Sequence, residues 1–201
     1  PKWTDAAIIN AGDGAHEHPT QSLADCYTIT QKLGDVSGKR IVIVGDIKHS
    51  RVARSNIKAF TMLGASVALV APPTLLPPSM ADWPVDVIGD FDTAIKEADV
   101  LYLLRMQHER QEEALVPSLR EYTNQYGLTI ERSRLLQKSS IIMHPGPMNR
   151  GVEVSGEVPE IQNAVITNQV ENGVIVRMAV LYHLLGSGVT PTEIQNEDNN
   201  D

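Results

Sequence analysis

The stretch that decides the fold is residues 40–51, Arg-Ile-Val-Ile-Val-Gly-Asp-Ile-Lys-His-Ser-Arg. Four β-branched residues follow Arg40 without a break, which is typical of a parallel strand covered on both faces. A helical pattern over 54–63 ends at Gly64, and a second apolar run occupies 66–71. A strand, a helix and a strand in this order predict a parallel β-α-β unit.

The same alternation extends from this unit in both directions. Before it, we predict a strand over 6–10 and a helix over 19–33, with Pro19 at the first helical position and Gly34 as the stop. After it, we predict strands over 86–88, 100–104 and 140–143, a helix over 92–98 capped by Asp90 or Asp92, and helical pieces over 117–122 and 133–138. The fold class is therefore α/β, a doubly wound, mainly parallel sheet with helices on both faces.

The carboxyl-terminal part has a different pattern. Residues 163–185 read as one long amphipathic helix that ends at Gly186. Its apolar positions are Val170, Val174, Met178, Leu181, Tyr182 and Leu185. Because it follows the last strand through a loop, we expect it to pack on something other than the sheet. Residues 187–201 are acidic, and we expect this tail to be disordered.

Composition excludes several classes of function. The chain has 201 residues, a net charge of −8 and one cysteine, Cys26. An acidic balance argues against nucleic-acid binding, and no apolar stretch is long enough to span a membrane. One cysteine cannot form an internal disulfide and fits a reducing, cytoplasmic location. The chain starts at Pro1 without an initiator methionine, so we expect it to be part of a longer protein.

Ligands of open parallel sheets bind beyond the carboxyl ends of the strands. Three such exits, at 45–51, 105–110 and 144–150, should share one rim, and two of them carry Arg51 and Arg105. A guanidinium binds a carboxylate through two parallel hydrogen bonds, so the pair suggests a dicarboxylate ligand. The alternative is that Arg51 pairs with Asp46 and Arg105 with Glu109.

Polar groups near the first helix suggest recognition of an amide. His18 precedes Pro19 and Gln21 follows, and together they can donate to an oxygen and accept from an NH₂ group. The alternative is that His18 only caps the helix. His16 and His18 do not have diagnostic metal-ligand spacing, so we predict no metal.

The exit at 144–147, His-Pro-Gly-Pro, predicts a rigid turn that exposes backbone carbonyls and in which one X-Pro bond can be cis. A dinucleotide site is not predicted, because only Gly45 of a Gly-x-Gly-x-x-Gly turn is present. We therefore expect no binding of NAD.

Four ordered segments resemble the aspartate carbamoyltransferase family. They are His-Pro-Thr-Gln at 18–21, Gly-Asp-Ile-Lys-His-Ser-Arg at 45–51, Leu-Arg-Met-Gln-His-Glu-Arg at 104–110 and His-Pro-Gly-Pro-Met-Asn-Arg-Gly at 144–151. The related ornithine enzymes typically carry Ser-Met-Gly and His-Cys-Leu-Pro loops. Neither is present, and Pro145 stands where that cysteine would be. An ornithine-type enzyme and a non-catalytic relative are the alternative functions.

The resemblance implies transfer of a carbamoyl group from carbamoyl phosphate to L-aspartate in pyrimidine synthesis. Because this donor is already activated, the resemblance also implies no cofactor. It assigns His18 to the carbamoyl oxygen, and Gln21 with the carbonyls of Gly146 and Pro147 to the carbamoyl NH₂. It assigns Arg51 and Arg105 to the aspartate carboxylates, with Gln107 in support. His18 is the implied catalytic residue.

The resemblance also implies how the chain is organised. The family's Ser-Thr-Arg-Thr phosphate loop is absent, so residues 1–18 would be the end of a carbamoyl-phosphate domain and 19–162 an aspartate-binding domain. Residues 163–186 would return to the first domain. We therefore expect the chain to be inactive alone. The implied partners are other copies of the chain in a homotrimer and a regulatory or dihydroorotase chain.

Overall fold

The computed structural model describes residues 6–78, 80–107, 116 and 118–186. Five parallel strands form one sheet in the order β3-β2-β1-β4-β5. The strands are β1 Arg40–Val44, β2 Ser66–Val70, β3 Val85–Val87, β4 Val100–Leu103 and β5 Ile141–Met143. The central position of β1 places its exit loop in the middle of the carboxyl rim.

The α-helices pack on both faces of this sheet, which confirms the predicted doubly wound fold. They are α1 Pro19–Leu33, α2 Arg51–Met62, α3 Phe91–Glu97, α4 Leu119–Tyr126, α5 Ile130–Ser133 and α6 Ile166–Leu185. Alternate residues of β1 enter two separate cores. Ile41 and Ile43 pack with α1 and α2, whereas Val42 and Val44 pack with α3 and α5.

Helix α2 begins three residues earlier than predicted, and a cap explains the difference. The Ser50 Oγ accepts a hydrogen bond from the Ala53 N–H at 3.1 Å, which satisfies one of the free donors of the first turn. The cap makes Arg51 the first helical residue. Its side chain therefore starts directly at the rim.

Other predicted elements also differ in the structure. Residues 6–10 do not form a strand, because no neighbouring strand pairs with them within the described part of the chain. Helix α4 starts at Leu119 because Ser118 caps it, and α5 replaces the helix predicted over 133–138 because Thr129 caps an earlier turn. The predicted tail at 187–201 lies outside the described residues.

Helix α6 packs along α1 and leaves most of its apolar residues in solvent. It buries Ile166, Gln169, Asn172 and Gly173, so the face against the protein is largely polar. Val170 is 60% exposed and Met178 is 64% exposed. The helix also starts at Ile166 rather than at residue 163. Within the described ranges, no helix has the length and apolar character required to cross a membrane.

Candidate active site

One cavity of about 200 Å³ at the carboxyl rim brings all the predicted site residues together. It lies where the exits of β1, β4 and β5 meet the start of α1. The predicted residues that line it are His18, Gln21, Arg51, Arg105, Gln107, Gly146 and Pro147. Ser50, Val52, Leu104 and Pro145 complete the lining.

The two arginines reach the cavity from neighbouring strands. Arg51 begins α2 after β1, and Arg105 follows β4, which pairs with β1. The guanidinium of Arg51 lies against the backbone of Gly12, where a Cβ would be 2.7 Å from its central carbon. Gly12 has a φ of +126°, which L side chains rarely adopt. The loop before α1 therefore limits where the Arg51 side chain can lie.

Asp46 pairs with His49 rather than with Arg51 among the described residues. Its carboxylate lies 2.8 Å and 3.1 Å from His49 Nδ1 and accepts the Gln107 N–H at 3.3 Å. This arrangement contradicts the first half of the ion-pair alternative. Glu109, the partner in the second half, lies outside the described residues.

His18 is held by its backbone and does not cap α1 with its side chain. Its N–H donates to Ser55 Oγ at 2.8 Å, and its Nδ1 is buried without a hydrogen-bond partner among the described residues. Burial, with the positive charges of Arg51 and Arg177, lowers the pKa of His18 to about 4. The imidazole is therefore neutral near pH 7 and can donate one N–H.

Gln21 has a defined amide orientation. Its Nε2 donates to the Asp25 carboxylate at 2.9 Å, and its Oε1 accepts from Arg177 at 3.1 Å. Asp25 lies one helical turn after Gln21, so the i, i+4 spacing is the sequence signal for this contact. Arg177 lies on α6 and no local pattern in the sequence indicated it.

The turn after β5 presents backbone acceptors to the cavity. The Gly146–Pro147 peptide bond is cis, as predicted for one X-Pro bond. No described hydrogen bond uses the carbonyls of Pro145, Gly146 or Pro147. The His144 ring supports this turn, since its Nδ1 accepts the Gly146 N–H at 2.9 Å and its Nε2 lies 3.3 Å from the buried Glu153 carboxylate.

This constellation can bind a small ligand that combines anionic groups with an amide. Two guanidinium groups suit carboxylates, and a neutral imidazole suits a carbonyl oxygen. The Gln21 oxygen and the free carbonyls suit an NH₂ group. No carboxylate lines the cavity within the described part of the chain.

Comparisons with known proteins identify the family of the chain. Residues 37–184 match the family model "Aspartate/ornithine carbamoyltransferase, Asp/Orn binding domain", and residues 2–31 match the carbamoyl-P binding domain of the same family. The aspartate carbamoyltransferase catalytic subunit of Thermobifida fusca is 54% identical over 93% of this chain and 60% of its own length. That of Desulfitobacterium hafniense is 54% identical over 91% of this chain and 59% of its own.

A crystal structure of Trypanosoma cruzi aspartate transcarbamoylase with phosphate is 34% identical, with a TM-score of 0.78. It covers 89% of this chain and 60% of that one. The chain thus spans about three fifths of the relatives that it matches. Since one family model covers most of the chain, the chain belongs to the aspartate/ornithine carbamoyltransferase family.

Proposed function

We propose that this chain provides the amino-acid site of an aspartate carbamoyltransferase. Its substrates are then L-aspartate and carbamoyl phosphate, and its products are N-carbamoyl-L-aspartate and phosphate. The observation that carries the proposal is the convergence of Arg51, Arg105, His18 and Gln21 on one cavity. A step of pyrimidine synthesis is the biological role that this activity would have.

The charge of the cavity favours aspartate over ornithine. Arg51 and Arg105 offer two guanidinium groups, one for each carboxylate of aspartate. Ornithine has one carboxylate and a second ammonium group, which two guanidinium groups would repel. The curated relatives reported above are aspartate enzymes, which supports the same choice.

The proposed chemistry needs positioning and charge stabilisation rather than a protein nucleophile. The aspartate amine attacks the carbamoyl carbon, and the bond from that carbon to the phosphate oxygen breaks. The proton that the amine loses is taken up by the departing phosphate. His18 donates its N–H to the carbamoyl oxygen, where negative charge develops. Gln21 Oε1 and the carbonyls of Gly146 and Pro147 accept from the carbamoyl NH₂. Arg51, Arg105 and Gln107 hold aspartate against this group.

We further propose that the phosphate is bound by a separate carbamoyl-phosphate domain. On this proposal residues 1–18 end that domain, 19–162 form the aspartate domain and 163–186 pack back on the first. Support comes from the match of the carbamoyl-P family model to residues 2–31 only and from the exposed apolar face of α6. The phosphate-binding residues would then lie outside this chain.

The assembly and location follow the same proposal. We place the complete enzyme in the cytoplasm as a homotrimer, in which a neighbouring subunit also contributes to the phosphate site. A regulatory or dihydroorotase chain is the proposed further partner. The buried thiol of Cys26, in a chain that has no second cysteine, is consistent with a reducing compartment.

A turnover assay tests the activity. We expect N-carbamoyl-L-aspartate to form when a carbamoyl-phosphate domain is supplied to the chain, and no product from the chain alone. Product in neither arm would favour a non-catalytic relative. Product from ornithine instead of aspartate would support the ornithine-type alternative.

Replacing Arg105 tests the aspartate site. For Arg105→Ala in the complete enzyme we expect a large rise in the aspartate KM, from loss of a charge-assisted pair worth about 2–5 kcal/mol. Arg40→Ala is the control, since Arg40 lies at the opposite end of the sheet and pairs with Asp86 at 2.7 Å. An unchanged aspartate KM in Arg105→Ala would remove this residue from the site.

A further inference from the structure

The acceptors proposed for the carbamoyl NH₂ come from two distant parts of the chain. Gln21 belongs to α1, and the carbonyls of Gly146 and Pro147 follow β5. A group that bonds to both needs them at a set separation and orientation. A third element, α6, supplies a side chain that touches the supports of both.

Gln169 of α6 connects the two parts through its buried amide. Its Oε1 accepts the backbone N–H of His144 at 3.0 Å, immediately before the acceptor turn. Its Nε2 donates to the Asp25 carboxylate at 2.7 Å. Gln169 is 1% exposed, and His144 and Asp25 are fully buried. The oxygen and the nitrogen of the Gln169 amide are therefore both hydrogen-bonded in an environment that excludes water. A 180° flip of the amide would break both contacts.

Asp25 passes this constraint on to Gln21. Its carboxylate accepts from the side chains of Gln21, Gln169, Asn56 and Tyr102, at 2.9, 2.7, 2.9 and 2.5 Å. A carboxylate only accepts, so Asp25 takes the Gln21 NH₂. The Gln21 oxygen accepts from Arg177 at 3.1 Å and keeps its second lone pair for a group in the cavity. Burial raises the pKa of Asp25, and these four donors act against that rise.

We infer that Asp25 and Gln169 are positioning residues that align the two sets of NH₂ acceptors and so make the site select an acyl donor that carries an NH₂ group. This inference rests on the proposed function. Neither residue lines the cavity, so each acts through Gln21 or through the turn after His144. The selected feature is the NH₂ of carbamoyl phosphate, which acetyl phosphate replaces with a methyl group.

The test compares these two donors in the enzyme completed with a carbamoyl-phosphate domain. Gln169→Met keeps the length of the side chain and removes its hydrogen bonds to His144, Asp25 and, at 3.3 Å, the Tyr102 hydroxyl. We expect the ratio of kcat/KM for carbamoyl phosphate to that for acetyl phosphate to fall about tenfold or more. Misaligned acceptors no longer form the hydrogen bonds to the NH₂ group that favour carbamoyl phosphate. The aspartate KM should stay within about twofold, since the described hydrogen bonds of Asp25 and Gln169 involve neither Arg51 nor Arg105.

Asn172→Leu is the matched control. Asn172 is another buried α6 amide that binds α1, through Thr28 at 3.0 Å and Gln31 at 3.1 Å. Neither of these partners lines the cavity as far as the structure describes it. We expect it to lower stability without changing the donor ratio. If kcat/KM falls equally for both donors in a folded Gln169→Met enzyme, the positioning role is wrong, while the proposed function still stands. A parent enzyme that transfers no carbamoyl group would overturn the proposed function itself.

A second variant and a measurement on the unaltered chain cover the case in which Gln169→Met does not fold. Asp25→Asn keeps the volume and turns one acceptor into a donor, and the same fall in the donor ratio is expected. In the 201-residue chain, the His144 N–H and the Gln169 side-chain amide should exchange with solvent only on global unfolding. Rapid exchange of either group would contradict the network.

Discussion

Gly12 leaves the space that the Arg51 guanidinium occupies, although it has no functional group of its own. Since a Cβ there would lie 2.7 Å from the guanidinium, Gly12→Ala should displace the far end of Arg51 in addition to straining the backbone, whose φ is +126°. We expect the aspartate KM of the complete enzyme to rise about tenfold or more, because a small misplacement of a binding group is costly. Steady-state kinetics at saturating carbamoyl phosphate measures this effect.

Gly14→Ala is the control that separates displacement of the Arg51 side chain from the effect of backbone strain in this loop. Gly14 has a φ of +43° in the same loop, and no atom lies within 4 Å of its added Cβ. Both variants should lose some stability, and only Gly12→Ala should weaken aspartate binding. Similar KM values for the two variants would show that the Arg51 contact is unimportant.

The lowered pKa of His18 predicts a pH dependence of stability. Because its folded pKa is about 4 against 6.5 in the unfolded chain, the unfolded state binds more protons between these values. The free energy of unfolding should therefore fall as the pH drops from 6.5 to 4 and should be unaffected by His18 above that range. His18 is only half-buried, so we expect about 1–2 kcal/mol.

Urea unfolding of the parent chain and of His18→Gln across this pH range isolates the contribution. The difference in unfolding free energy should shift in favour of the variant as the pH falls. A difference that is constant with pH would show that His18 titrates alike in the folded and unfolded chain.

At the scale of elements, α2 connects the core to the rim, since it carries Phe60 in the core and Arg51 at the cavity. Phe60 is fully buried, and its ring meets Tyr102 edge-on with centroids 6.4 Å apart. Phe60→Ala should cost about 3–5 kcal/mol of unfolding free energy, from lost burial and the cavity left behind. Met62 lies two residues on and is 86% exposed, so Met62→Ala should stay within about 0.5 kcal/mol. Comparable losses for the two variants would contradict this packing of α2.

At the scale of the whole molecule, the outer face of α1 and α6 is an exposed apolar surface within the described part of the chain. It comprises Leu23, Tyr27, Val174, Ile175, Met178 and Tyr182. If the carbamoyl-phosphate domain covers this face, Met178→Glu should weaken its association by about 2 kcal/mol or more, the worth of one buried methionine. Titration calorimetry with that domain as a separate chain measures the change.

Met62→Glu provides the same chemical change on α2, away from this face. Its affinity for the domain should equal that of the parent. If both substitutions weaken binding of the domain equally, the added negative charge is the cause and not its position on this face. If Met178→Glu does not weaken binding, this face is not the docking surface.

The sequence alone determined the alternation of strands and helices along the chain, and it predicted which residues would meet at one rim of the sheet. Continuous β-branched runs such as 41–44 predict buried parallel strands, and parallel strands bring their exit loops to one rim. Arg51, Arg105 and the turn at 145–147 could therefore be placed together before any coordinates. The boundaries of α2, α4 and α5 were less accurate, because single capping residues such as Ser50 decided them.

Only the tertiary structure decided what surrounds those residues. Gln169 meets Asp25 across 144 positions, and Arg177 meets Gln21 across 156, contacts that no local periodicity encodes. The absence of a strand at 6–10 has the same origin, since hydrogen-bonded pairing with a neighbour, rather than the apolar run itself, makes a strand. The lowered pKa of His18 likewise arises from burial and from two arginines that the fold brings beside it.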